Sequence, residues 1–345
     1  KMDRTWLVIG GLGYLGRNFV KHLLDNDLAE YITVADKAML ALCPMLPMHE
    51  VAFQDPRVTC VQVDMSRLPE KAFTRPHRYI VNFAGETRKG MGEDMHEQNT
   101  VGVVRATYPF AGTSKWIEIS TASVYADSKS ACTESSRTDP KSKEAKSHLM
   151  AELSLGGRDH VILRPARVYG GGDFKGLTPL LVIGMIYKAK GEKMKSLFSA
   201  DFKLCTVHVE DLCRAIVFLK DRPGTYNIAD PNVTTLKYLN KLIETIFRIK
   251  TGYHTRFASL LSPDTLAEAA NDIHMPTWMD LCAEFGIDTP ISPEMDSEDV
   301  QKMSVNADGR AINRLGFEYQ YPAPTVEVLR QQAAQLCEAG LLPPI

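Results

Sequence analysis

The stretch Trp6-Leu-Val-Ile-Gly10-Gly-Leu-Gly13-Tyr-Leu-Gly16 decides the fold of this chain. Its apolar start predicts a buried β-strand, and the spacing G-x-x-G-x-x-G predicts a tight turn that leads into a helix. Gly10 permits the turn, Gly13 lets a pyrophosphate approach the backbone, and Gly16 lets the helix pack closely on the strand. Apolar side chains then recur at helical spacing, at Phe19, Val20, Leu23 and Leu24. Strand, turn and helix in this order predict a dinucleotide site at the helix N-terminus.

An acidic residue follows at the distance that such a site requires. The next apolar run predicts a second strand, and Asp36 ends it twenty residues after Gly16. A carboxylate there accepts hydrogen bonds from both ribose hydroxyls, which favours NAD over NADP. We therefore expect NAD as the cofactor, and an empty site stays open. The alternative is an ordinary βαβ unit whose glycines serve packing alone.

Composition excludes several classes of protein. The chain has 345 residues, 44% of them hydrophobic, and a net charge of −2, so neither disorder nor a nucleic-acid partner is indicated. No apolar run reaches the roughly 20 residues of a membrane helix. The seven cysteines form no C-x-x-C pair and predict reduced thiols in an intracellular protein, with no metal site. Because Lys1 precedes Met2, the start is interpreted as a tag remnant or a processed end, so we expect the cytoplasm or, after removal of a targeting peptide, an organelle lumen.

Strands and helices alternate through the first half of the chain, which predicts an α/β fold with a parallel, doubly wound sheet. Further strands are predicted at 58–64, 79–85, 115–125 and 160–172, and helices begin at Asn99 and near residue 141. Asp64, at the end of the third strand, is either a hydrogen-bond partner of the adenine amine or a generic strand-end aspartate.

The pattern changes at about residue 173. Helices are predicted at 177–190, 236–248, 256–287 and 326–339, with Thr325 capping the last of them. We expect Pro276 to break the helix predicted at 256–287. We expect Asp211 to cap a helix that follows a short strand at 206–212. The acidic run 288–299 is expected to form a surface loop. The predicted domains are a nucleotide-binding domain at 1–172, rejoined by about 204–230, and a discontinuous, mixed and mostly helical substrate lobe at 173–345.

An ordered set of blocks resembles the extended short-chain dehydrogenase/reductase family, which includes nucleotide-sugar epimerases and dehydratases and 3β-hydroxysteroid dehydrogenases. The resemblance covers about residues 5–230. Its blocks are Gly10-x-x-Gly13-x-x-Gly16, Asp36, Asp64, Phe83-Ala84-Gly85, Asn99, Ser120-Thr121-Ala-Ser123-Val-Tyr125, Leu163-Arg164-Pro165 and Val207-His208-Val209-Glu210-Asp211. It implies a Rossmann sheet that binds a nicotinamide dinucleotide. The cofactor residues that it implies are Gly10, Gly13, Tyr14, Leu15, Gly16, Asp36, Asp64, Met65, Phe83, Ala84, Gly85, Asn99 and Pro165.

The catalytic positions depart from the family pattern. The family uses a Ser or Thr after the fifth strand, a Tyr that moves the proton, and a Lys four residues later that holds the nicotinamide ribose. Thr121 matches the first position, but the fit of the next helix places Glu144 at the Tyr position and His148 at the Lys position. A carboxylate and a mostly neutral imidazole do not replace a phenol and an ammonium. Alternatively, Glu144 and His148 form an ordinary i, i+4 pair on the helix surface, or Lys143 or Lys146 stands in for the missing Lys.

Two hypotheses follow from this departure. In the first, the chain keeps the nucleotide site but is catalytically impaired, and serves as a structural or cofactor-sensing subunit in a homodimer or a larger protein assembly. In the second, it is an active epimerase, dehydratase or 3β-hydroxysteroid dehydrogenase-like oxidoreductase that uses Thr121 and an unconventional base such as Glu144. Tyr125 and Tyr169 are the nearest phenols in the sequence to the expected site.

Overall fold

A parallel sheet forms the centre of the molecule. The computed structural model describes residues 4–157, 159–254, 261–300 and 305–345. Its strands are β1 (Thr5–Ile9), β2 (Tyr31–Asp36), β3 (Val58–Gln62), β4 (Tyr79–Asn82), β5 (Lys115–Ile119), β6 (His160–Pro165), β7 (Arg167–Tyr169), β8 (Met194–Ser196), β9 (Thr206–His208), β10 (Gly224–Ile228) and β11 (Thr251–Tyr253). Seven of them pair in the order β10-β6-β5-β4-β1-β2-β3, all parallel. This confirms the predicted doubly wound α/β class.

Helices cover both faces of this sheet and build the C-terminal region. They are α1 (Tyr14–Asp25), α2 (Pro47–Phe53), α3 (Glu93–His96), α4 (Val103–Thr107), α5 (Lys143–Ser154), α6 (Thr178–Lys190), α7 (Val209–Leu219), α8 (Leu236–Phe247), α9 (Pro263–Phe285), α10 (Ser297–Val300), α11 (Arg310–Arg314) and α12 (Val326–Glu338). Short 3₁₀ turns occur at Leu40–Leu42, Pro69–Ala72, Tyr108–Ala111 and Ala122–Val124. A π turn at Glu97–Gly102 joins α3 to α4.

The alternation of side chains along the central strands gives the sheet two cores. On one face, Trp6 stacks on Tyr79 at 4.5 Å between ring centroids and meets Phe19 of α1 edge-on. On the other face, Leu7 and Ile9 pack with Trp116 and with the apolar sides of α4 and α5. Strands that are buried on both faces lie beneath two helical layers, as in other parallel sheets. The rigid sheet therefore fixes the loops at its carboxyl edge.

The C-terminal region has a core of its own, built where α6, α8, α9 and α12 meet. Thr325 accepts a hydrogen bond from the Val328 N–H and caps α12, as predicted. Two further parallel strand pairs form outside the central sheet, β7 with β9 directly after β6, and β8 with β11 beside α6 and α8. No helix in the described ranges is both long and apolar enough to cross a membrane.

Several local predictions are wrong. Pro276 lies inside an uninterrupted α9, since a proline removes a single backbone donor and packing around Trp278 holds the helix together. His208, not Asp211, caps α7, because β9 ends one residue before the helix begins. The helix predicted to begin at Asn99 begins at Glu93. The part of the predicted 256–287 helix at 256–260 lies outside the described residues.

The acidic run at 288–299 is not a free surface loop. Ile291 is 1% exposed, and its carbonyl accepts a hydrogen bond from the Trp278 indole N–H at 3.1 Å. The Asn271 side chain donates to the Met295 carbonyl and accepts from the Met295 N–H, at 2.9 and 2.8 Å. Because these bonds join the run to α9, its acidic end is held in place against the rest of the molecule.

Candidate functional site

The glycine turn between β1 and α1 has the geometry that its sequence predicts. Gly10 has a φ of +70°, and a Cβ there would lie 2.8 Å from the Ala84 nitrogen. A Cβ at Gly16 would lie 2.5 Å from the Gly11 Cα, so only glycine lets α1 lie this close to the turn. Gly13 differs, since it is exposed and its nearest neighbour would be the Gly10 carbonyl at 3.3 Å. The turn therefore presents an open backbone surface at Gly13.

The start of α1 is free to receive an anion. Gly13 is its N-cap, no side chain caps the helix, and its first turn contains no acidic residue. Uncapped N–H groups at a helix N-terminus, together with the helix dipole, attract phosphate oxygens. Tyr14 and Leu15, both partly buried, flank this end of the helix. The arrangement fits a pyrophosphate laid across Gly13.

A cavity of about 210 Å³ adjoins the turn at the end of β2. Asp36 lines it, and its two carboxylate oxygens accept hydrogen bonds from the Leu12 and Ala38 N–H groups at 3.0 and 2.9 Å. Each oxygen has a further lone pair for a ribose hydroxyl. Cys60 and Gln62 of β3 lie on the opposite wall. The cavity thus presents an acceptor and an apolar wall, which suit a nucleoside.

The structure puts Asp64 and Met65 just beyond this cavity. Asp64 accepts hydrogen bonds from the backbone and side chain of Ser66 at 3.0 and 2.6 Å, so one of its oxygens already serves the local turn. Met65 is buried in the core beneath β3. Both residues directly follow β3, whose Cys60 and Gln62 line the cavity.

The loop after β4 forms the next wall. The Asn82 side-chain oxygen accepts from the Ala84 N–H at 3.1 Å, and Phe83 packs on Phe19 at 5.6 Å. Asn99, in the π turn, donates to the Glu86 carboxylate at 2.6 Å. Burial raises the pKa of Glu86, but bonds from Arg88 and Asn99 outweigh it and hold that pKa at about 2. Glu86 therefore stays ionised, and no feature of the sequence around Asn99 predicted its hydrogen bond to Glu86.

The three positions expected to handle the proton, Thr121, Glu144 and His148, differ in how far they are buried. Thr121 is half-buried, and its hydroxyl accepts from the Ser123 N–H at 3.2 Å. Glu144 is exposed in the first turn of α5, whereas His148 is 7% exposed one turn later. The His148 ring lies 3.2 Å from where a Gly85 Cβ would be. Burial lowers the pKa of His148 and keeps it neutral. The two residues therefore do not form a pair on the helix surface.

The lysines near this helix are engaged elsewhere. Lys143 donates to the Met91 carbonyl at 3.3 Å and pairs with Glu298 at 3.4 Å. Lys146 is exposed. Neither takes the buried place that His148 occupies beside Gly85.

The nearest phenols are also committed to other contacts. The Tyr125 hydroxyl donates to Asn227 at 2.6 Å and accepts from Arg164 at 2.9 Å in a buried network. Tyr169 is fully buried against His208, and burial raises the pKa of its hydroxyl. Neither hydroxyl is presented to the cleft beside Thr121.

Arg164 and Arg167 flank Pro165, the last predicted cofactor residue, and differ in role. Arg164 binds the Glu152 carboxylate through two bonds, at 2.9 and 2.5 Å, so it is structural. Pro165 ends β6, buried beside β10. Arg167 donates only long bonds to two backbone carbonyls, at 3.5 and 3.4 Å, and burial lowers its pKa. Within the described residues, no carboxylate lies within ion-pair distance of Arg167.

Comparison with known proteins agrees with this geometry. The chain resembles the enzyme WbmG from Bordetella bronchiseptica, solved with NAD and UDP, at 17% identity and a TM-score of 0.69, over 97% of this chain and 94% of that one. It resembles a UDP-N-acetylglucosamine 4-epimerase from Methanobrevibacter ruminantium at 17% identity and a TM-score of 0.69, over 98% of this chain and 99% of that one. It also resembles the dTDP-glucose 4,6-dehydratase DesIV from Streptomyces venezuelae, solved with NAD bound, at 21% identity and a TM-score of 0.70, over 96% of this chain and 97% of that one. No curated protein sequence gives a significant match. At these identities the structural likeness shows the fold.

The sequence profile of one family matches residues 6–229, which include the glycine turn, the Asp36 cavity and the whole seven-stranded sheet. NAD is the cofactor by which that family is described. The match covers more than half of the chain and includes every predicted cofactor residue. This chain belongs to the NAD dependent epimerase/dehydratase family.

Proposed function

We propose that this chain binds NAD at the carboxyl edge of its sheet and lacks the tyrosine-based proton transfer of its relatives, so that it serves as a structural or cofactor-sensing subunit. The observation that carries the proposal is the pair at positions 144 and 148. An exposed carboxylate stands where the family pattern has the phenol, and a buried, neutral imidazole stands where it has the ammonium. General acid–base assistance contributes about a hundred- to ten-thousand-fold to a rate, so losing the pair would be severe.

The cradle fits the dinucleotide. Gly13 and the uncapped start of α1 would hold the pyrophosphate, Asp36 would accept from the adenine ribose, and Gly85 would adjoin the nicotinamide half. Bound NAD supplies a hydride acceptor. His148 adjoins Gly85 and could donate one hydrogen bond there, but it brings no fixed positive charge. Cofactor binding would then stabilise the folded chain by mass action without turnover.

A second candidate function is favoured by a specific observation. The likeness to sugar-nucleotide epimerases and dehydratases extends over nearly the whole chain, including its C-terminal region. The chain would then be an active NAD-dependent oxidoreductase acting on a nucleotide sugar or a sterol-like alcohol. Thr121 would bind the reacting oxygen, and Glu144, the exposed carboxylate at the position of the missing phenol in the sequence pattern, would act as the base.

Two measurements separate these candidates. Titration with NAD and NADP, followed by melting temperature and fluorescence, is expected to show binding of NAD in preference to NADP because of Asp36. The absence of any response to either nucleotide would refute both functions. UDP-glucose and dTDP-glucose are then added to the NAD-bound protein, and absorbance of NADH and product formation are followed. The non-catalytic candidate predicts neither NADH absorbance nor product. Turnover that Glu144→Gln abolishes would establish the active oxidoreductase.

A protein partner is also proposed. Helix α5 exposes Leu153, which is 77% exposed, and Met150, which is 41% exposed. Apolar side chains in such a position support self-association or docking in a larger assembly. Sedimentation analysis of the purified chain is expected to give a homodimer that Leu153→Glu weakens; a monomer at every concentration would leave only an assembly with other proteins.

A further inference from the structure

The acidic end of the 288–299 run contacts the loop after β4 and the first turn of α5. Asp299, in α10, forms an ion pair with Lys89 at 2.6 Å, and its side chain is only 16% exposed. Lys89 also donates to the Glu294 carbonyl. One residue before Asp299, Glu298 pairs with Lys143 at 3.4 Å. These bonds join the C-terminal region to the loop after β4 and to the first turn of α5.

Both anchoring elements border the proposed active site. Lys89 lies in the loop that begins at Gly85, and Lys143 directly precedes Glu144. On the other side, Lys175 donates to the carbonyl and hydroxyl of Thr87, in the same loop. The segment 294–300, which we call the acidic strap, is bonded through Asn271 to α9 and therefore spans from one region to the other.

The acidic strap and the elements that it contacts carry opposite charges. Lys89 and Lys143 contact the acidic strap directly. Arg167 feels the charges of Asp173, Asp299 and Glu144, which raise its pKa, although desolvation lowers that pKa by more. The Arg167 guanidinium is only partly buried, makes two long bonds to backbone carbonyls, and forms no ion pair within the described residues. A ligand that carries phosphate would supply a closer anion to this cation, and would compete with Asp299 and Glu298 for the lysines.

We propose that the acidic strap is an internal anion that closes the substrate side of the cleft, and that a diphosphate-bearing ligand must displace it to reach Lys89, Lys143 and Arg167. This inference rests on the proposed function for the site that it covers, and it adds the step that admits a ligand to that site. Because the strap is held by partly exposed ion pairs, its closure weakens as ionic strength rises.

The test compares Glu298→Gln/Asp299→Asn with Glu294→Gln. The control removes a charge from the same strap, but the Glu294 side chain is exposed and makes no ion pair within the described residues. Amide hydrogen exchange is measured without ligand at residues 86–91 and 294–300. The double variant is expected to exchange faster there and the control is not. Equal exchange in wild type, control and double variant would overturn the closed strap.

The displacement step is tested with uridine diphosphate by calorimetry in the presence of NAD. Loss of two partly exposed ion pairs is expected to tighten binding of the diphosphate about fivefold relative to the control. An unchanged or weaker affinity, or no binding to any form, would overturn displacement. Exchanging the charges, as in Lys89→Glu/Asp299→Lys, is expected to return amide exchange toward the wild-type rate. NAD binding is measured separately on the same variants, so failure of the cofactor site does not alter the exchange result.

Discussion

At the scale of the residue, the cofactor site depends on glycines that do different work. Gly16 is required by packing, because any Cβ there would meet the Gly11 backbone at 2.5 Å. No protein contact requires a glycine at position 13, because a Cβ there would meet only the Gly10 carbonyl, at 3.3 Å. Packing therefore accounts for Gly16, and we propose that a ligand accounts for Gly13.

Substitution to alanine is expected to separate these two roles. Gly16→Ala should lower the free energy of unfolding by about 1–3 kcal/mol, because α1 must move away from the turn. Gly13→Ala should leave the free energy of unfolding within about 0.5 kcal/mol of wild type and weaken NAD binding about tenfold or more, since its methyl group occupies the path of the pyrophosphate. Urea denaturation and calorimetric titration measure both. Equal loss of stability in the two variants would contradict the assignment.

At the scale of the element, one carboxylate organises the entry to the C-terminal region. Asp173 is 1% exposed and accepts hydrogen bonds from four backbone N–H groups in the turn that leads into α6, those of Lys175, Gly176, Leu177 and Thr178. It also accepts from Gln332 of α12 at 3.0 Å. A single side chain thus holds the turn before one helix and joins it to another helix.

Asp173→Ala is expected to cost about 2–4 kcal/mol of unfolding free energy, because it leaves several buried donors without an acceptor. Asp201→Ala is the matched control, as Asp201 is exposed in the same half of the chain, and should change stability by less than about 0.5 kcal/mol. Chemical denaturation of both variants checks this. A loss below about 1 kcal/mol for Asp173→Ala would mean that water replaces the carboxylate.

The sequence was informative where local pattern and global fold agree. The run from Trp6 to Gly16 and the alternation after it predicted the sheet, because buried parallel strands are apolar throughout and glycine turns are explicit. Long-range contacts were not predictable. Nothing near Asp211 in sequence indicates that its carboxylate accepts from the N–H groups of Gln320 and Tyr321. Likewise, the burial of His148 beside Gly85 and the ion pairs of the acidic strap depend on how distant segments meet.

At the scale of the whole molecule, buried carboxyl groups connect stability to pH. Burial raises the pKa of Glu118 and of Asp230 to about 8, against hydrogen bonds from Asn82 and Trp116 to the first and from Thr206 to the second. Both groups are protonated in the fold at neutral pH and ionised in the unfolded chain. Folding therefore binds protons at these two groups. Their contribution to the free energy of unfolding is fully present below about pH 4, and it is lost progressively as the pH rises from there through about 8.

Between pH 7 and 8, the free energy of unfolding is expected to fall by about 1 kcal/mol for each of these two groups. Asp230→Asn, which cannot ionise, should remove about half of that slope. Urea denaturation at pH 7.0, 7.5 and 8.0 measures it. A flat profile for the wild-type protein would mean that both carboxyls are ionised in the folded state.

The central claim is that this chain keeps the NAD cradle of its family and presents no phenol and ammonium to the nicotinamide. A crystal structure of the protein grown with NAD tests it most directly. The account predicts the pyrophosphate over Gly13 at the start of α1, with His148 as the residue beside the nicotinamide ribose and with Tyr125 and Tyr169 still buried away from it. An empty cleft at saturating NAD, or a tyrosine hydroxyl and a lysine ammonium within hydrogen-bond distance of the nicotinamide ribose, would contradict it.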